Sequence, residues 1–149
     1  MATVSGSIVV DCSPEEAFAY SGEPAHGPEW QAGLREVEME TPGPAQMGAR
    51  VRERRGLPGA PATRWELTHY QPGARWSLRR IDRGSSARRT MTFTALDGGA
   101  ASRLTLELTF EGTGVGGLGA AVARHRAARQ IQADLARLKR RLEGRAPGA

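Results

Sequence analysis

A single cysteine, Cys12, excludes any disulfide within the chain, and with it the stapled scaffolds on which small secreted domains rely. No stretch approaches the roughly 20 consecutive apolar residues that a membrane-crossing helix needs, so no membrane insertion is expected. The start, "MATVSGSIVVDCSPEE", has neither the basic opening nor the small-residue cleavage site of a signal peptide, and the expected location is the cytoplasm. Lysine is nearly missing too. Among the 21 Lys and Arg residues only Lys139 is a lysine, and the net charge is +5. The arginines are spread from Arg35 to Arg145, with no stripe and no groove of interleaved aromatics. Dispersed charge of this kind solubilises a surface, and nucleic acid is not expected as a partner. The histidines, His26, His69 and His125, form no i,i+4 pair and have no cysteine pair beside them, so no metal is expected.

What is present is enough for one domain, residues 1–143, followed by a frayed tail over residues 144–149. "TVSGSIVVD" reads as a first strand. Ser13, Pro14 and Glu16 then announce a helix, as N-cap, first helical residue and capping-box partner. A second short helix is expected around Pro28–Gln31. From Leu34 to Glu111, six segments alternate in hydrophobicity between turn signals. "TRWELTHY" puts Trp65, Leu67 and His69 on one face; "RWSLRRI" does the same for Trp76, Leu78 and Arg80. "ARRTMTFTAL" aligns Met91 with Phe93, and "SRLTLELTF" aligns Leu104, Leu106, Leu108 and Phe110. Such alternation means an antiparallel sheet with one buried face.

Residues 115–143 form an amphipathic helix of about 29 residues, roughly 43 Å long. Leu118, Val122, His125, Ile131, Leu135, Leu138 and Leu142 fall on its apolar stripe and are expected to face the sheet. The class is therefore α+β. About seven antiparallel strands curve around one long C-terminal helix, with two short helices after the first strand. Space between sheet and helix is the expected functional feature.

The glycines of "EGTGVGGLGAA" fit G-x-G-x-x-G, yet no second parallel strand follows them. A dinucleotide turn needs its βαβ unit. NAD is rejected, no cofactor is expected, and the run is read as a hinge from the last strand into the helix.

This organisation resembles the START-like (SRPBCC, Bet v 1-like) superfamily with the helix-grip fold, whose bacterial members include polyketide cyclase/dehydrase and lipid-transport proteins. The resemblance spans about Thr3 to Leu142. It is carried by "IVVDCSPEEAFAY", "PEW", "MGARVRERR", "THYQPGARWSL", "TFTALDGGAASRLTLEL" and "DLARLKRRLE". It implies a hydrophobic cavity for one lipid-like or polyketide-like molecule, lined from the strands by Val51, Glu53, Trp65, Leu67, Trp76, Leu78, Met91, Phe93 and Leu106. Trp30 and, from the long helix, Leu118, Val122 and His125 complete it.

Three readings follow. A carrier or sensor needs only the apolar cavity. A cyclase/dehydratase would fold a poly-ketone chain, with His69 as general acid or base and Arg80 or Tyr70 polarising a carbonyl. An acyl carrier protein would then be a partner. In cyclases an arginine, tyrosine or histidine commonly serves the carbonyl; here "THY" offers His69 and Tyr70, the latter reaching inward only if a bulge turns it. The third reading is a protein-interaction module. The oligomeric state, monomer or homodimer, stays open.

Overall fold

The first strand finds its partner at the far end of the strand series. β1 (Ala2–Val10) pairs antiparallel with β7 (Ala101–Phe110), Gly6 opposite Leu106. The structure is a computed structural model that describes residues 2–84, 86–111 and 118–144, apart from the Leu118 side chain. The expected glycine hinge at 112–117, the Leu118 contact and residues 145–149 of the tail lie outside the described residues.

Between those two strands run β2 (Leu34–Met39), β3 (Arg50–Arg55), β4 (Thr63–Gln71), β5 (Arg75–Arg80) and β6 (Ala87–Leu96). All seven form one curled antiparallel sheet in the order β1-β7-β6-β5-β4-β3-β2. The alternation in sequence becomes burial on one face: Val51, Trp65, Leu67, Trp76, Leu78, Met91, Phe93, Leu104 and Leu106 are all buried.

α1 (Pro14–Ser21) begins as its sequence indicates. Ser13 is extended, and its Oγ accepts from the Glu16 backbone N–H at 3.1 Å. A single 3-10 turn, Pro24–His26, leads into the four-residue α2 (Gly27–Trp30).

α3 (Leu118–Glu143) runs along β1. β1 is an edge strand, and side chains of the helix occupy its open edge. Gln132 donates to the Ser7 carbonyl at 3.2 Å, Lys139 to the Val9 carbonyl at 2.7 Å, and the Asp11 N–H donates to Glu143 at 2.9 Å. Helix cover of this sort removes a template for unwanted strand pairing. Close approach is possible because residue 6 is glycine: a Cβ there would stand 2.9 Å from Gln132 Oε1 and 3.0 Å from Ile131 Cγ2.

The apolar stripe of α3 is used over half its length. Ile131, Leu135, Leu138 and Leu142 are buried, whereas Val122 is 46% exposed and His125 is exposed, so neither faces the sheet as its periodicity implies. Strand length accounts for Val122. Ile131 packs at Gly6, and Val122 lies nine residues before it, about 13 Å along the helix. Only four β1 residues, also about 13 Å, remain between Gly6 and Ala2. Val122 thus comes level with the end of the strand, whereas His125, about 9 Å from Ile131, is exposed although the same count leaves strand alongside it. No helix of the described residues is long and apolar enough to cross a membrane.

Candidate functional site on the inner face

A β-bulge decides which side chains of β4 face inward. Leu67 pairs with Leu78, but the next paired residue is His69, opposite Ser77, followed by Tyr70 opposite Trp76. One extra residue reverses the alternation. His69 therefore shares a face with Ser77, away from Trp65 and Leu67, and its Nδ1 sits 3.3 Å from the Thr68 hydroxyl. The inward placement expected for it is corrected. Tyr70 takes the inner position, its ring edge-on to Phe18 at 4.9 Å. Burial and the nearby Glu23 raise its pKa above the usual tyrosine value, so its hydroxyl stays protonated and able to donate.

Arg80 lies opposite Trp65 at the end of β5, where its Nε donates to Asp82 at 2.6 Å. Asp82 also accepts from the backbone of Gly84 and Arg64. Burial pushes its carboxyl up, yet these hydrogen bonds hold it below the ordinary value. The charge of Arg80 is thus spent on a turn, not on Glu53.

Glu53 is met instead by Arg89, a residue that the sequence reading passed over. Arg89 Nη2 donates to Glu53 Oε2 at 2.6 Å and Nη1 to Gln31 Oε1 at 3.0 Å, while its guanidinium lies 4.4 Å from the centroid of Trp65. Arg55 donates to the other Glu53 oxygen at 3.2 Å and to Gln31 at 2.6 Å. The parity of Arg89 with Met91 and Phe93 is the signal that could have found it.

Electrostatically the cluster holds two guanidiniums against one carboxylate. Burial drives the Glu53 carboxyl upward, but Arg89 and Arg55 outweigh it and leave the pKa lowered. Arg55 is pushed down to about 10, first by burial and then by the charge of Arg89. Both ionise at neutral pH. Two buried donors near this region, Arg89 Nε and Trp30 Nε1, have no hydrogen-bond partner among the described residues. Each such group carries a desolvation cost of about 1–3 kcal/mol.

All three tryptophans are buried. Trp65 Nε1 bonds Thr63 and Trp76 Nε1 bonds Ser21, while the Trp30 carbonyl accepts from Arg137 of α3. A cavity of about 20 Å³ bounded by Gln31, Leu34, Glu53, Leu67, Trp76 and Leu78 has room for about one water. The inner face is less completely covered past Arg89, whose register partner is Leu108: Ala87, Leu108 and Phe110 are only partly buried.

A curled seven-stranded sheet gripped by one C-terminal helix defines the helix-grip class. Residues 1–143 match the family described as polyketide cyclase / dehydrase and lipid transport, and the chain belongs to that family. No curated protein matches the chain by sequence. Among solved structures it is similar to the Zhui aromatase/cyclase from Streptomyces sp. R1128, with 17% identity, 99% of this chain and 98% of that one covered, and a TM-score of 0.74. It is likewise similar to a START superfamily protein from Mycobacterium smegmatis, at 14% identity, 95% and 97% coverage and a TM-score of 0.77. A third neighbour is the di-domain ARO/CYC BexL from the BE-7585A biosynthetic pathway. It shows 19% identity and a TM-score of 0.75, with 96% of this chain covering 47% of that one. At these identities the likeness concerns the fold.

Proposed function

We propose that the chain binds one hydrophobic small molecule, lipid-like or polyketide-like, on the inner face, as a carrier or sensor. The observation that supports this is a continuous wall of Trp65, Leu67, Trp76, Leu78, Met91 and Phe93 that ends in the Arg55–Glu53–Arg89 cluster. Apolar walls with a few convergent polar groups are the usual make-up of a small-molecule site. The guest enters at the half-covered end beside Leu108 and Phe110, since the cavity at Gln31 and Trp76 admits little more than a water. Its polar head meets the excess positive charge of the cluster. The chain works as a soluble cytoplasmic protein, monomer or homodimer.

Tryptophan emission reports on this wall directly. Titration with fatty acids and with aromatic polyketides is expected to shift or quench it saturably for one of the two classes. An unchanged spectrum with every compound of both would overturn the reading.

A second reading, cyclase/dehydratase chemistry, is favoured by one observation: the bulge that turns Tyr70 inward. In that reading Tyr70 donates to a ketone oxygen, the wall holds the poly-ketone in a reactive fold, and an acyl carrier protein delivers it. His69 and Arg80 take no part. Turnover of a poly-ketone substrate that disappears in Tyr70→Phe and survives in His69→Ala is the expected pattern; turnover retained in Tyr70→Phe would remove this reading.

A further inference from the structure

The opposite face of the sheet carries a groove of about 460 Å³, a volume typical of small-molecule sites. Its floor follows from register. Arg79 stands directly across from Arg88, Arg75 across from Thr92, and Thr90 across from Glu107. Two guanidiniums opposed on one face of an antiparallel pair repel each other and destabilise the pairing. Arg79 is answered in part by Glu66 at 3.2 Å. Arg75 and Arg88 have no ion pair among the described residues, and Arg75 Nε is closed off from solvent with no hydrogen-bond partner. Hydroxyls of Ser86, Thr90, Thr92 and Thr109 line the same groove.

Two acidic groups restrict what fits. Glu107 and, at the rim, Glu111 line the groove, and neither has an ion pair among the described residues. An ionised carboxylate only accepts hydrogen bonds, so it repels a second anion and suits hydroxyl or amino donors. The guanidinium fork matches a phosphate in two parallel hydrogen bonds. We propose that this groove is a second binding site, for a small organic phosphate. Arg75, Arg79 and Arg88 hold the phosphate, and Glu107 with the threonines accepts from hydroxyls on the rest of the molecule. The site lies across the sheet from the inner-face wall and does not depend on what that wall binds.

Calorimetric titration of the full chain with ribose 5-phosphate at low salt tests it, with inorganic phosphate titrated in parallel. One saturable site is expected, weakened at least ~10-fold in Arg75→Gln and in Arg88→Gln, the loss associated with a charge-assisted hydrogen bond. Glu107→Gln is expected to weaken ribose 5-phosphate relative to inorganic phosphate, which loses a repelling neighbour and a partner it cannot use. All three side chains lie on the outer face, and unchanged thermal melting of the variants shows that any loss is local. Three results would each overturn the proposal: no saturable heat from ribose 5-phosphate, equal affinity in the parent and both arginine variants, or no preference for ribose 5-phosphate over inorganic phosphate.

Discussion

Arg89 Nη2 lies 2.6 Å from Glu53 Oε2, and the two side chains are 9% and 4% exposed. They come from β6 and β3, strands separated in the sheet by β5 and β4, so the pair spans the concave face. Removing one member of such a pair leaves a buried charge unanswered, at about 3–5 kcal/mol. Glu53 serves two guanidiniums, whereas Arg89 leaves Arg55 behind to serve Glu53. Glu53→Gln is therefore expected to destabilise the fold by about 3 kcal/mol or more, and Arg89→Met by less. Urea unfolding of the two variants gives the order, and the reverse order would contradict the cluster as described.

Acid stability follows from the same carboxylate. The folded pKa of Glu53 is lowered from an ordinary value of 4.5, so below that value the unfolded chain takes up its proton first. Its contribution is complete above about pH 4.5 and is lost as pH falls through the lower folded pKa. Asp82 and Glu143 are lowered too and add to the slope in the same direction. Urea midpoints between pH 7 and 3 are expected to fall on acidification, and Glu53→Gln to flatten part of that fall. An equal slope in parent and variant would mean that Glu53 titrates normally.

Gly6 sets the distance between α3 and β1. A β-branched side chain there meets Ile131 and Gln132, and overpacking of this type costs about 1–3 kcal/mol. Gly6→Val is expected to lower the melting temperature by several degrees. A melting temperature at or above that of the parent would show that the helix can move away freely.

Binding at the inner face distinguishes two neighbours on β4. Tyr70→Phe removes a hydroxyl on the inner face and is expected to weaken a carbonyl-bearing aromatic ligand by roughly 10-fold, the worth of one well-placed hydrogen bond. His69→Ala, on the other face, is expected to leave affinity unchanged. Fluorescence titration of both reads this out, and the opposite ranking would place His69 inward.

Much of the architecture was legible where strict alternation survives: "TRWEL", "RWSL" and "RLTL" bury the faces that their pattern marks. The bulge after Leu67 was not. An inserted residue leaves no mark in a run such as "LTHY", and only the pairing with Ser77 and Trp76 reveals that parity has reversed. Arg89 was readable in principle, sharing parity with Met91 and Phe93. Near a strand end, however, an arginine usually reaches solvent, and its burial depends on Glu53, which is 36 residues away. The periodicity of α3 correctly marks Ile131, Leu135 and Leu138. It extends just as regularly through Val122 and His125, which are exposed, because a helical repeat does not record which of its turns are covered.

Native mass spectrometry of the protein isolated from its own cells tests the inner-face site most directly. One apolar molecule per chain is expected, retained by the parent and reduced or lost in Arg89→Met. A spectrum showing the bare chain alone, unaltered after incubation with fatty acids and aromatic polyketides, would contradict ligand binding as the purpose of this face.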